Sequence, residues 1–357
     1  MSNRPSSLIP SDPLFPTQWY LRNTGQFPKA KPGEDIHVTS VWPDYTGKGI
    51  TIAVVDDGFE SSHPDLVANY NFNASRDLKT GTVGGLPGTN SDNHGTSVAG
   101  LISETANNGM GGVGVAWDGQ LIGYRLQFDQ ETLPYFSQYF ASSITQALAS
   151  GAAIGSNSWG PMMDPFDVQH DQPNYVAAAK EAVQLGRNGL GMVLLFASGN
   201  TGEFQLDANY DPTDNLPYAI TVGAIDSAGA VTGFSTPGAS VLVLGPGDEL
   251  VTTDRQAMLG YTKLPGEAGN YTNDAPSHSY FDGTSGATPI VAGVVALMLE
   301  ANPLLGYRDV QDILVHSSRR ADFIGNEGVF FNDRFMCANP CAWPIVRFNH
   351  IRWRICK

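Results

Sequence analysis

Residues 49–58 read GITIAVVDDG. An apolar, β-branched run this short, closed by glycine at both ends, reads as a strand buried on both faces. Its carboxyl end carries Asp56 and Asp57. The same form recurs in QLIGYRL (120–126), AAIGSNSWG (152–160), LGMVLLFASGN (190–200) and YAITVGAID (218–226). Between these runs lie helical patterns, HGTSVAGLISETA (94–106), YFSQYFASSITQALAS (135–150) and YVAAAKEAVQLG (175–186). Alternation of this kind predicts an α/β fold, a mostly parallel sheet flanked by helices in three layers.

A fourth helical stretch, SGATPIVAGVVALMLEA (285–301), is apolar on nearly every face. That predicts a helix through the interior. Pro289 is expected in its first turn, where backbone donors have no helical partner to lose.

The chain has 357 residues, 41% hydrophobic and 15% charged, with a formal net charge of −15. This is long enough for a sizeable core, and the acidity argues against a nucleic-acid partner, which needs clustered Lys and Arg. No membrane span is expected, because no unbroken apolar run of spanning length stands out. The opening MSNRPSSLIPSDP has none of the regions of a secretory signal.

No repeat or long linker divides residues 12–318, so one domain is expected over 1–318. From Arg319 the character changes. Residues 319–357 hold seven basic against three acidic side chains and all three cysteines, Cys337, Cys341 and Cys356. A tail of opposite charge either docks on the acidic body or is not native coding sequence.

In open parallel sheets functional groups collect beyond the carboxyl ends of the strands. There the sequence puts Asp56 and Asp57, the SWG segment Ser158, Trp159 and Gly160, and Asn200. Two helices open with His94 and Ser285. A serine hydroxyl is a weak nucleophile until an imidazole takes its proton, and the imidazole needs a carboxylate to fix its tautomer. Asp56, His94 and Ser285 supply one of each. Asn200, with the Ser285 backbone amide, would stabilise an oxyanion. Each residue also has a plainer reading: Asp57 and Ser285 as helix or turn caps, Asn200 as a turn residue, Asp211 in DPTD as a turn signal.

The strings VVDDG, HGTSVAG and GTSGATP, in the chain order Asp, His, Ser, resemble the motifs of subtilisin-like serine proteases. SDPLFPTQWYLRNTG, YTGKGITIAVVDDG, ANNGMGGVGVAW and LEANPLLGYRDVQDILVHSS narrow the resemblance to the kexin and furin branch, as a bacterial-type member, over about residues 11–318. The resemblance implies a subtilisin-like fold and peptide-bond hydrolysis by serine. It also implies a polypeptide substrate, a monomer with a proteinaceous inhibitor or chaperone as partner, and an extracellular or periplasmic location. It further implies a structural Ca²⁺ held by the side chains of Asp12, Asp65 and Asn108 and the carbonyls of Thr105, Met110 and Gly112, a hard-oxygen set.

Asp211 matches an acid that reads a basic P1 residue, and Asp57 one that faces a basic P2 residue. Met163, Leu206 and Thr236 stand where the family has the acids of a second calcium site, and Phe136 where it has an acid that reads P4. The second metal is therefore expected to be missing. Neither a propeptide before Ser11 nor a P domain is expected in this chain. Three functions stay open: a processing endopeptidase favouring Arg or Lys at P1, a broad degradative protease, and a catalytically silent peptide-binding relative.

Overall fold

A computed structural model describes residues 7–128, 135–160, 173–204, 206–261, 271, 280–320 and 344–345. The predicted strands form as β1 (Thr51–Asp56), β3 (Gln120–Arg125), β4 (Ile154–Asn157), β5 (Val193–Ala197) and β6 (Ala219–Ile225). Joining them are β2 (Arg76–Asp77), β7 (Val241–Pro246), β8 (Arg319–Arg320) and β9 (Pro344–Ile345). The nine strands make one sheet in the order β2-β3-β1-β4-β5-β6-β7-β9-β8, parallel except for the β8–β9 pair.

β1 pairs with β3 on one side and β4 on the other. Strand order reverses at β1, the kind of position where open parallel sheets leave room beyond the strand ends, and Asp56 stands at that end.

Successive strand residues point to opposite faces, and the two faces are covered by different helices. Ile52 and Val54 face one layer with α1 (His94–Ser103) and α4 (Thr284–Ala301), whereas Ala53 and Val55 face the other with α2 (Phe136–Ala149) and α3 (Pro173–Leu185). A fifth helix, α5 (Tyr307–Ser317), follows α4. It opens where the Gly306 amide donates to Asp309 Oδ2 at 2.7 Å.

Every α4 residue from Thr284 to Leu299 is buried. By length and composition this helix could cross a membrane, but 89% of it lies inside the protein. Burial of each of its Val, Leu and Ile side chains is worth about 1.5–3 kcal/mol, which is why an apolar cylinder settles at the centre.

One expectation needs correction. Because α4 begins at Thr284, Pro289 is its sixth residue and lies in the second turn, not the first. Its missing N–H leaves the Ser285 carbonyl without its i+4 donor. Enclosure by the core on all sides holds the helix despite that loss.

The basic tail meets the body at Arg319, whose guanidinium pairs with Glu34, and at β9, which adds Ile345 beside Leu244 of β7. The three cysteines lie outside the described residues.

Gly293 marks how closely α4 packs. A Cβ there would stand 2.6 Å from Val115 Cβ. Gly293→Val is expected to lower stability by about 1–3 kcal/mol through overpacking, read as a lower thermal midpoint. An unchanged midpoint would show that the contact between α4 and the 113–115 segment is slack.

Candidate active site

The Asp56 carboxylate, at the end of β1, is buried, and its Oδ1 lies 2.9 Å from His94 Nδ1 and accepts the Asp57 amide at 2.8 Å. That bond turns Nδ1, as a donor, toward Asp56 and leaves Nε2 facing away from the carboxylate. His94 opens α1, its side chain 26% exposed, with the Phe281 ring 5.2 Å from its own. A quarter of the imidazole surface is therefore open to a reactant.

Ser285 lies in the first turn of α4, 8% exposed. Its hydroxyl donates to the Ser158 carbonyl at 2.9 Å. A backbone N–H in a first turn has no helical acceptor and sits at the positive end of the helix. Asn200 stands beside this turn. Its Oδ1 accepts both the amide and the hydroxyl of Thr284 at 2.9 Å, so its amide nitrogen is the end left to donate. Gly283, at φ 112°, lets Asn200 approach, since a Cβ there would lie 2.9 Å from Nδ2.

Asp57 takes the plainer of its two readings locally. Its oxygens accept the backbone amides of His94 (3.0 Å) and Gly95 (2.7 Å), capping α1. Burial and the neighbouring Asp56 charge push its carboxyl up to about 7. Burial opposes a charge on His94, yet the Asp56 carboxylate, by charge and hydrogen bond, and the Asp57 charge raise the imidazole to about 9.

The SWG segment runs from the end of β4 past Ser285. Trp159 is buried and anchored by its indole N–H on the Val55 carbonyl (2.9 Å), and Gly160 is exposed. A Cβ on Gly160 would lie 3.4 Å from Asp211 Oδ2, so Asp211 does come next to this segment. Its other oxygen accepts the Thr213 amide (2.8 Å) and hydroxyl (2.7 Å), and burial raises its pKa. Phe136 packs edge-on against Trp159 at 4.9 Å, an aromatic wall where the family pattern has an acid.

Met163 lies outside the described residues. Leu206 is half-buried, and the buried Thr236 accepts the Thr201 amide through its hydroxyl (3.0 Å).

The residues expected to hold a cation lie around the loop that follows α1. Asp12 Oδ2 accepts the Asn107 amide (2.6 Å) and Oδ1 the amides of Asn108 (3.0 Å) and Gly109 (3.3 Å). The Asp65 carbonyl accepts the Thr105 amide and hydroxyl (both 3.0 Å), and its carboxylate takes the Tyr271 hydroxyl (2.5 Å). Met110 and Gly112 complete the loop.

Asn108 differs from expectation. Its amide oxygen accepts the Met110 N–H (2.9 Å) and its nitrogen meets Asp65. A carboxylate draws the donor end of an amide, and a half-turn exchanges the two ends. Among the described residues no three His, Cys, Asp or Glu side chains are grouped to hold a metal. The expected set has only two carboxylates and takes its other ligands from amide and carbonyl oxygen, a composition that fits Ca²⁺.

Several functional contacts escaped sequence reasoning. The Ser158 carbonyl, the Phe281 ring and the buried Arg125, which ties Asp92 of the segment before His94 (2.7 Å) to Asp77 (2.6 Å), come from distant parts of the chain. Thr284 is adjacent to Ser285 and was legible as part of GTSGATP.

The Subtilase family model matches residues 47–334. The chain belongs to the subtilase family. It is 34% identical to proprotein convertase subtilisin/kexin type 7 of Homo sapiens over 94% of its own length and 42% of that protein's. It is also 34% identical to neuroendocrine convertase 2 of Drosophila melanogaster over 96% and 49%. The chain thus spans less than half the length of these curated relatives. Its fold is similar to the crystal structure of the Aeromonas sobria serine protease in complex with its chaperone (TM-score 0.79, 26% identity, 89% of this chain and 59% of that one).

The Asp57 charge is expected to be part of what raises His94. In Asp57→Asn the imidazole should titrate below its parent value of about 9, because the protonated form loses a stabilising anion. NMR titration of the imidazole reads this directly, and an unchanged or higher value would exclude the coupling.

Proposed function

We propose that this subtilase is a serine endopeptidase that favours Arg or Lys at P1. The observation that carries the catalytic part is the 2.9 Å contact of Asp56 with His94, on the edge where the first turn of α4 carries Ser285. With substrate bound and the imidazole in its neutral form, the Ser285 hydroxyl turns from the Ser158 carbonyl toward His94 Nε2, which takes its proton as Oγ attacks the scissile carbonyl. Asp56 holds Nδ1–H and stabilises the imidazolium. The carbonyl oxygen, now negative, takes hydrogen bonds from Asn200 Nδ2 and the Ser285 N–H. Collapse expels the amine, which receives the proton from His94, and a water activated by the same base releases the acyl group.

Ser158, Trp159 and Gly160 would pair with extended substrate backbone. Asp211, beside Gly160 and raised by burial, supports a basic P1 residue, because a guanidinium or ammonium would restore its favoured charged form. Asp57 would add a weaker acidic influence at P2 while capping α1. The aromatic wall of Phe136 and Trp159 argues against a basic P4 residue and so against strict multibasic selectivity.

Asp12, Asp65, Thr105, Asn108, Met110 and Gly112 would hold Ca²⁺, which when bound cross-links the N-terminal segment to the loop after α1. Residues 1–318 form the catalytic unit in this reading, with 319–357 as a separate basic tail. The convertase relatives support processing of polypeptides. The chaperone complex of the Aeromonas protease supports a chaperone partner, and the family resemblance an extracellular or periplasmic site of action.

Hydrolysis of a P1-varied peptide library tests both halves. Ser285→Ala should abolish turnover. Asp211→Asn should lower kcat/KM for Arg and Lys substrates at least about tenfold while leaving Leu and Phe substrates within about twofold, the loss of one charge-assisted bond. Turnover by Ser285→Ala would overturn the nucleophile. An unaltered profile in Asp211→Asn would favour a broad degradative protease.

A further inference from the structure

Asp211 is followed in DPTD by a second acid, Asp214, to which the resemblance gives no role. Asp211 is half-buried beside Gly160, whereas Asp214 is 3% exposed and lies deeper. The two are joined, because the Asp214 amide donates to the Asp211 carboxylate. The Thr221 hydroxyl, from β6, fixes the same turn by donating to the Asp214 carbonyl at 2.8 Å.

Tyr175 of α3 is 1% exposed, its ring 5.5 Å from that of Phe140, which packs edge-on against Trp159 of the SWG segment at 4.8 Å. Burial and then the charges of Asp211 and Asp214 raise the Tyr175 hydroxyl, which places that hydroxyl near both acids. Asp214 Oδ1 and the Tyr175 hydroxyl are each buried with no hydrogen-bond partner. Among the described residues neither acid pairs with Lys or Arg. Buried polar atoms are almost always satisfied, so two orphaned atoms next to the P1 acid point to a donor brought in by the substrate.

We propose that Asp214 is a further specificity-determining residue of the P1 pocket and that, with Tyr175, it selects Arg over Lys. A guanidinium carries five N–H donors in a planar fork, whereas an ammonium carries three on one atom. Asp211, the more exposed acid, takes one edge of the fork, and Asp214 Oδ1 and the Tyr175 hydroxyl take N–H groups that extend past it. A Lys ammonium pairs with Asp211 and leaves the deeper atoms orphaned. Burial and the Asp211 charge raise the Asp214 carboxyl well above the ordinary range, so it holds a proton in the empty pocket. Its role needs no charge, since the unprotonated oxygen of a neutral carboxyl still accepts.

The inference rests on the reading of Asp211 as the P1 acid, and one experiment separates the two. The full chain is assayed for kcat/KM on peptides identical except for Arg, Lys or Leu at P1. Asp214→Ala should lower the value for Arg about tenfold or more, the loss of a hydrogen bond to a charged group, while Lys and Leu stay within about twofold. Tyr175→Phe should lower the Arg-to-Lys ratio in the same direction.

A parent chain that does not favour Arg and Lys over Leu would remove the P1 reading itself. A parent that favours them, with an Arg-to-Lys ratio unaltered in Asp214→Ala, would overturn the role of Asp214, as would an equal loss on all three peptides, the mark of a merely structural residue. If Asp214→Ala does not fold, Tyr175→Phe, which removes only an unpartnered hydroxyl, decides by the same ratio.

Discussion

Helix α4 has no polar face, and everything about the site follows from where such a helix has to go. An apolar cylinder buried from Thr284 to Leu299 must be surrounded by sheet and helices. Lying against one face of a parallel sheet, it brings its N-terminus to the same edge as the strand ends that carry Asp56 and the SWG segment. The first turn then presents Ser285 with unspent backbone donors and a positive helix end. The position of Ser285 is thus set by a hydrophobic constraint.

Three local devices refine that placement. Thr284 orients Asn200 through two bonds to one oxygen, so that a single residue next to Ser285 decides which end of the amide is left to donate. Asp57 caps α1 and at the same time adds charge near His94, which makes it both a structural and an electrostatic neighbour of the imidazole. Arg125 joins Asp77 and Asp92 and so ties the segment before His94 to the sheet. Geometry and charge at the imidazole therefore depend on groups beyond the three that would carry the reaction.

The sequence was most legible where local pattern and tertiary demand agree. β1, β3, β4, β5 and β6 are short apolar runs, and α1 to α3 show helical spacing, so both form where expected to within a few residues at their ends. β7 carried a readable run, Val241 to Leu244, but α5 has only Val310, Gln311 and Leu314 buried and gives a thin apolar stripe. β2, two residues of opposite charge, exists only through its neighbour β3 and has no signature of its own. The start of α4 shows the limit of boundary reading, since a shift of one residue moved Ser285 off the first position, and Pro289 fell a turn deeper than expected. Asp56, His94, Ser285 and Asn200 were legible because each sits in a distinctive local string. Phe281 and the Ser158 carbonyl were not, because their contacts come from residues far away in the chain.

The central claim is that His94 activates Ser285. Reaction of the purified chain with a fluorophosphonate, followed by digestion and mass mapping, tests it most directly. The expected result is a single phosphonylated serine at Ser285, formed in the parent and suppressed in His94→Ala. An adduct on another residue, or equal labelling of Ser285 without His94, would contradict the account.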